Sequence, residues 1–314
     1  MGAGRGRDTA TLPGMDLLRL FPAVPDLGPD PVMVLSLDGW TDAGEGGSAA
    51  ADALREVAEP VPIGSFDGDA LYDYRDRRPQ LAIDRGMLAD PVWPELTVEA
   101  LRPASGPALL LVTGAEPDLS WQRLGRELVA MARRFGAGRY VGLGAVPGPI
   151  PHTRPVQILA TSNDRALLDR MGHPHEQLIV PSSCQSAMEA VLAGAGVTTL
   201  GLWARIPHYI AGDYPDGARA LLERFSSYLG TPIDLSQFDA AVADNRAKLD
   251  LAAASSDEVT EHVRQLERLY DAELEAERLA EGGAAGDDGL DEVQVPSADE
   301  LAAEIERFLR GRAE

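Results

Sequence analysis

Lysine is almost missing from this chain of 314 residues: 27 of its 28 basic residues are arginine, and Lys248 stands alone. A Schiff-base or phosphate-loop lysine would have to be that residue, and the pattern GxxxxGK[ST] is absent. Cysteine is as scarce. With Cys184 as the sole thiol, an intramolecular disulfide and a cysteine-based zinc cluster are both excluded. The five histidines, His152, His173, His175, His208 and His262, form no HExxH pair. Positive charge is outweighed, 50 acids against 28 bases leaving a net charge of −22. Nucleic acid is therefore not an expected partner, because phosphate neutralisation needs clustered cations. Docking on anionic lipid is disfavoured for the same reason. No apolar run approaches the roughly 18 residues of a membrane span. Residues 1–14, rich in Gly, Arg and Asp, lack the apolar stretch of a signal peptide. The expected address is the cytoplasm, with no membrane partner. Gly44-Glu45-Gly46-Gly47 is not GxGxxG, so no dinucleotide is expected, and no other cofactor or metal motif is present.

Short apolar runs alternate with helical patterns. Strands are expected at 31–37, 61–66, 81–85, 108–113, 139–143, 155–161, 178–180 and 198–203, each a compact hydrophobic run bounded by turn residues. Helices are expected at about 45–59, 118–135, 163–170, 183–195 and 214–229, the last opened by Pro215. This order predicts an α/β domain over residues 16–235, with a largely parallel sheet covered by helices on both faces. In such sheets the functional loops gather at the carboxyl ends of the strands. Those loops are 38–47, 114–118, 144–154 and 204–213.

Beyond about 235 the composition changes. Residues 236–280 are polar, rich in Ala, Glu and Arg, and broken by Ser255-Ser256-Asp257, which predicts a helical hairpin. Val259, Val263, Leu266, Tyr270 and Leu274 form one apolar stripe on its second helix. That stripe is either a partner surface or the seam by which the hairpin folds on itself or on the core. Residues 281–296 read as an acidic linker. Ser297 and Glu300 make a capping box that opens an amphipathic helix over 297–311, with Leu301, Ile305, Phe308 and Leu309 on one face. Residues 255–314 hold 18 acids and 6 bases, so more than half of the net charge lies on the tail. Residues 1–15 read as a disordered lead. The two amphipathic elements predict a homo-oligomer, or a protein partner engaged through the hairpin and the end helix.

Three groups of residues carry candidate chemistry. Asp38, Trp40 and Asp42 lie between a strand and a helix, where two carboxylates could do acid/base work. Alternatively Asp42 or Thr41 caps the helix and Trp40 packs on the sheet edge. Glu116, His152, Arg154 and His208 lie on neighbouring loops and could converge on one ligand cleft. Arginine suits carboxylate or phosphate, and histidine can pass protons near neutral pH. The alternative is a hydrogen-bond network that stiffens the loops. Cys184 falls in the first turn of a helix, a place that can lower a thiol pKa, although a small buried cysteine is the commoner case. His173 and His175 flank Pro174 in a polar turn and read as surface rather than as a zinc pair. No residue is assigned a catalytic role.

Several stretches together resemble the PAC2 family, named after a proteasome assembly chaperone subunit, and within it the longer actinobacterial members. They are Asp38-Gly39-Trp40-Thr41-Asp42-Ala43-Gly44, Phe66, Tyr72-Asp73-Tyr74-Arg75 with Arg78-Pro79, Gly114-x-Glu116-Pro117 and Trp121. They continue with Pro151-His152-Thr153-Arg154-Pro155, Leu202-Trp203, Pro207-His208-Tyr209 and Val263-Arg264-Gln265-Leu266-Glu267. The likeness runs from about residue 16 to 310. It implies a fold related to the purine nucleoside phosphorylases and a non-enzymatic, assembly-chaperone-like role; an established enzymatic activity is not part of it. The alternative is a small-molecule binder or a hydrolase/phosphorylase-like enzyme that uses the carboxyl-end loops. Two departures stand out. The chain ends Gly311-Arg312-Ala313-Glu314 where proteasome-docking tails of the wider group carry a hydrophobic residue followed by Tyr. It also has Val180-Pro181-Ser182-Ser183 where relatives commonly carry Gly-Pro-Thr-Gly.

Overall fold

The computed structural model describes residues 10–12, 15–171 and 179–282. In chain order the elements are β1 (Ala10–Leu12), β2 (Met15–Leu20), β3 (Val32–Asp38), α1 (Gly46–Val57), β4 (Val61–Phe66) and α2 (Gly68–Leu71). There follow β5 (Ile83–Asp84), β6 (Met87–Leu88), β7 (Leu96–Leu101), β8 (Leu109–Ala115), α3 (Trp121–Phe135), β9 (Arg139–Gly148) and β10 (Ile158–Ser162). Then come α4 (Arg165–Met171), α5 (Cys184–Gly194), β11 (Thr198–Pro207), α6 (Pro215–Leu229), α7 (Asp239–Ala254) and α8 (Asp257–Gly282).

Nine strands form one sheet in the order β1-β2-β4-β7-β8-β3-β9-β11-β10, and β5 and β6 pair separately as a hairpin. The α/β class is as expected. The parallel pairing is concentrated at the centre, in β8-β3-β9-β11, while antiparallel strands extend the sheet on both sides. A strand buried on both faces reads as an unbroken apolar run. So it is with β3, whose Met33, Leu35 and Leu37 enter one core and whose Val32 and Val34 enter the other. Helices α3 and α5 cover the first face; α1 and α6 cover the second. α3 turns Leu124, Leu128, Met131 and Ala132 inward. α5 opens with a reciprocal cap between Ser183 and Ser186.

The strands depart from expectation in five places, the first being that Ile179 and Val180, expected in a strand, lie outside any strand and are exposed. Residues 10–12 form β1 against β2, rather than belonging to a disordered lead. β2 and β7 are unexpected, the latter despite the alternation of buried Leu96, Val98 and Ala100 with half-exposed Thr97 and Glu99. β9 continues to Gly148 and β11 to Pro207, so much of two expected loops is strand. The reason is mutual: the two pair in parallel without a break from Thr198 opposite Arg139 to Pro207 opposite Gly148. Their glycines serve this packing rather than turns. A Cβ on Gly144 would stand 2.7 Å from the Trp203 ring. Residues 81–85 are not a sheet strand but one arm and the turn of the β5–β6 hairpin.

The chain divides into two compact units, Met1–Tyr270 and Asp271–Glu314. Of the second, residues 271–282 are described, and they are helical. The linker from residue 283 onward, the end helix of 297–311 and the His173/His175 turn lie outside the described residues.

Candidate functional site

The carboxyl ends of the central strands carry two separate constellations, and the seven residues singled out from the sequence are divided between them.

The first is built on the loop after β3. Glu116 follows β8, and its backbone N–H donates to the Asp38 carbonyl at 2.7 Å, extending the β3–β8 pairing by one step. Its carboxylate accepts from the Trp40 backbone N–H at 3.0 Å and from the Cys184 N–H, the first of α5, at 2.7 Å. Glu116 thereby ties the loop to a helix N-terminus, where a negative charge is favoured. Trp40 does not pack on the sheet edge: its side chain is 71% exposed. Asp42 is a helix cap. One carboxylate oxygen accepts from the N–H groups of Gly47 and Ser48 at 2.7 and 3.1 Å, and the other from the Ser48 hydroxyl at 2.6 Å. Burial raises its pKa, against the lowering pull of these hydrogen bonds. Cys184 is fully buried, and burial, reinforced by the Glu116 charge, pushes its thiol up to about 12. A thiol so held is a poor nucleophile at neutral pH.

The second constellation is a hub around His152, which is 3% exposed. Its backbone N–H donates to the Tyr209 hydroxyl oxygen at 2.8 Å. Nε2 lies 3.2 Å from Asp250 Oδ1, a carboxylate that can only accept, so Nε2 carries the proton of the neutral ring; Nδ1 then accepts from the Tyr209 hydroxyl, 2.7 Å away. The His152 carbonyl accepts from Arg246 at 3.1 Å. Next to it, Thr153 and Arg154 both donate to Glu267 Oε1, at 2.6 and 3.2 Å, and the Tyr270 hydroxyl donates to the Pro155 carbonyl at 3.0 Å. His208 lies edge-on to Tyr209 and to His262 at 5.4 and 5.5 Å between ring centres. Burial raises the Tyr209 pKa, so its hydroxyl keeps its proton.

These contacts bring His152, Arg154 and His208 together. They leave Glu116 in the other group, its two oxygens taken by Trp40 and Cys184. The hub is a hydrogen-bonded network closed by Asp250 and Arg246 on α7 and by Glu267 and His262 on α8. Of these four, Glu267 stands in a stretch that carries the family resemblance; the others are signalled in advance by membership of the hairpin whose apolar stripe demands a surface to rest on. Val263, Leu266 and Tyr270 of that stripe are indeed buried. Among the described residues, no group of three or more His, Cys, Asp or Glu is arranged to hold a metal ion, and no helix is long and apolar enough to cross a membrane.

The PAC2 family model matches residues 36–253, a span that holds the first constellation, His152, Arg154 and His208 of the second and most of the sheet, but not His262, Glu267 or Tyr270. The chain belongs to the PAC2 family. Among solved structures it is similar to a Mycobacterium tuberculosis protein of unknown function, with 35% identity and a TM-score of 0.79, covering 87% of this chain and 94% of that one. It is similar to a PAC2 family protein of Streptomyces avermitilis, with 30% identity, a TM-score of 0.67 and coverage of 74% and 100%. It is also similar to a proteasome-assembly chaperone homologue of Mycobacterium tuberculosis, with 28% identity, a TM-score of 0.70 and coverage of 74% and 99%. None of the curated proteins matches the chain.

Proposed function

We propose that this PAC2-family chain is a non-enzymatic, assembly-chaperone-like interaction factor of the actinobacterial cytoplasm, working as a homo-oligomer or on a protein partner. One observation carries the reading. The β5–β6 hairpin and the chain after it expose Ile83, Met87, Leu88, Val92 and Trp93 at 47% to 74%. Apolar residues left outside in one contiguous stretch mark a protein contact. Tyr74 stacks edge-on against Trp93 at 4.8 Å and holds one end of the stretch. The hairpin of α7 and α8 contributes less than its sequence promises, since Val263, Leu266 and Tyr270 of its stripe are buried within the chain; Val259, Leu251 and Leu269 remain exposed. A likeness to a proteasome-assembly chaperone homologue supports the same reading. The test compares the wild type with Met87→Asp/Leu88→Asp by light scattering and by pull-down from an actinobacterial lysate. Loss of self-association or of a specifically captured partner, with an unchanged circular dichroism spectrum, is the expected result. A wild type that is monomeric and captures nothing overturns the reading.

A second reading, a small-molecule binder at the carboxyl-end loops, is favoured by a cavity of about 340 Å³ between the ends of β3 and β8. Pockets of about 300–1,000 Å³ are the usual size for small ligands. A hydrolase-like chemistry draws no support from Cys184 or from the closed His152 hub. Thermal-shift screening with nucleosides, phosphates and carboxylates tests this reading, and silence across the set removes it.

A further inference from the structure

We propose that the cavity at the carboxyl ends of β3 and β8 binds a primary alkylammonium group. This rests on the small-molecule reading of the carboxyl-end loops and is independent of the partner reading. The cavity is lined by Ser36, Asp38, Asp52, Arg55, Glu95 and Thr113, among others. Three features set its chemistry.

The first is an unpaired negative charge. The carboxylates of Asp38 and Glu95 accept no hydrogen bond and join no ion pair among the described residues. The second is that the cation in the lining is spent. Arg55 pairs through Nε with Glu99 at 2.7 Å, through one terminal nitrogen with Asp52, and through the other with the Thr113 hydroxyl. The single charge of Arg55 is shared between Glu99 and Asp52, so the lining keeps the full charges of Asp38 and Glu95 and stays net negative. The third is the Ser36 hydroxyl. Ser36 is 2% exposed, and its Oγ has no hydrogen-bond partner. A buried polar group left unpaired costs about 1–3 kcal/mol, so an unpartnered hydroxyl in the wall of a cavity points to a ligand that pairs with it.

A ligand that meets two free carboxylates and one unpaired hydroxyl must be positive and must donate hydrogen bonds. A metal ion is disfavoured, because the acids here are not grouped as metal ligands among the described residues. An ammonium group offers three donors and one compact charge. The bearer is either a free aliphatic amine or a lysine side chain of another protein.

Calorimetric titration of the full-length chain at constant ionic strength, with 1,4-diaminobutane and with acetyl-Gly-Lys-Gly-amide, distinguishes the two bearers. Butane-1,4-diol serves as the neutral control. Saturable one-to-one binding of either cation, and none of the diol, is expected; the tighter of the two identifies the bearer. Asp38→Asn should weaken it by about tenfold, a change of about 1.4 kcal/mol. Ser36→Ala should weaken it severalfold, while Glu56→Gln, outside this cavity, should leave it unchanged. A non-saturating response in the wild type, or equal affinity in Asp38→Asn, overturns the proposal. If nucleosides or carboxylates bind where both cations fail, the ammonium inference falls and the small-molecule reading survives.

Discussion

Replacing Glu189 with glutamine should flatten the dependence of stability on pH between about 5 and 8. Glu189 sits on α5, 8% exposed, over the long strands β9 and β11. The Thr161 hydroxyl donates to its Oε2 at 2.9 Å, and the Trp203 ring N–H donates to Thr161 at 3.0 Å. Gly201 makes the seat: any side chain there would collide with Thr161, Glu189 and Trp203. Burial pushes the carboxyl up from 4.5 to about 7, and the hydrogen bonds from Thr161 and Gly201 offset only part of that.

The sign follows from the two proton affinities. Below about pH 4.5 both the folded and the unfolded chain hold the proton, and the site imposes no penalty. As pH rises, the unfolded glutamate loses its proton first, which favours unfolding. The loss is complete once pH passes the folded value of about 7. At roughly 1.36 kcal/mol per pKa unit, the full span corresponds to about 3 kcal/mol. Glutamine keeps an acceptor oxygen for Thr161 and carries no charge. Urea denaturation of both proteins at several pH values, followed by tryptophan fluorescence, isolates the one group, because every other titration cancels in the difference. The advantage of Glu189→Gln should grow by about 3 kcal/mol between pH 5 and pH 8. Parallel curves, with a constant difference across that range, would refute the reasoning.

Glu116→Ala should cost about 2 kcal/mol, since it strips the acceptor from the Trp40 and Cys184 N–H groups; the urea midpoint and faster amide exchange at Cys184 report it. Tyr209→Phe should lower stability by about 1 kcal/mol and deprotect the His152 amide, whose acceptor is the Tyr209 oxygen. Unchanged exchange at that amide would count against the hub. Cys184, fully buried with its thiol held at about 12, should resist dithionitrobenzoate in the native protein and react at the rate of unfolding. Stoichiometric reaction within seconds in native buffer would contradict this.

The strongest elements are legible because their signal is local. β3 and β8 open with unbroken apolar runs, Val32–Leu35 and Leu109–Val112, buried on both faces, and α6 is announced by Pro215 at its first turn. What escapes is non-local. Nothing in Met15–Leu20 reveals that it is a sheet strand, paired between β1 and β4. It is held by Glu127 of α3, whose buried carboxylate accepts the N–H groups of Asp16, Leu17 and Leu18 at 2.6 to 2.8 Å. In a helix pattern Glu127 is one more acid among polar neighbours. The glycines of β9 and β11 mislead in the opposite direction. They read as turn residues, and their meaning depends on Gln185, Trp203 and Glu189, supplied from elsewhere. The same holds for the site. The motif residues are conspicuous, but their grouping is set by α7 and α8, which arrive about a hundred residues after His152.

Asp38 and Asp42 show how one short loop holds two carboxylates with different work. Asp42 receives three donors from the start of α1, so its negative charge belongs to the helix cap and its geometry is locked. Asp38 receives none at its side chain, while its carbonyl accepts from Glu116. Its backbone is therefore fixed by the sheet while its carboxylate stays free and exposed. The charge of Asp38 adds to the upward shift of Asp42. A cation bound at Asp38 would relieve that repulsion, and the Asp42 pKa would fall as the site filled. The cap would then be tighter in the liganded protein, and amide exchange at Gly47 and Ser48 would slow. An acid kept free at the end of a rigid strand, beside one consumed by structure, is the arrangement expected of a binding group, because its orientation is set before the ligand arrives.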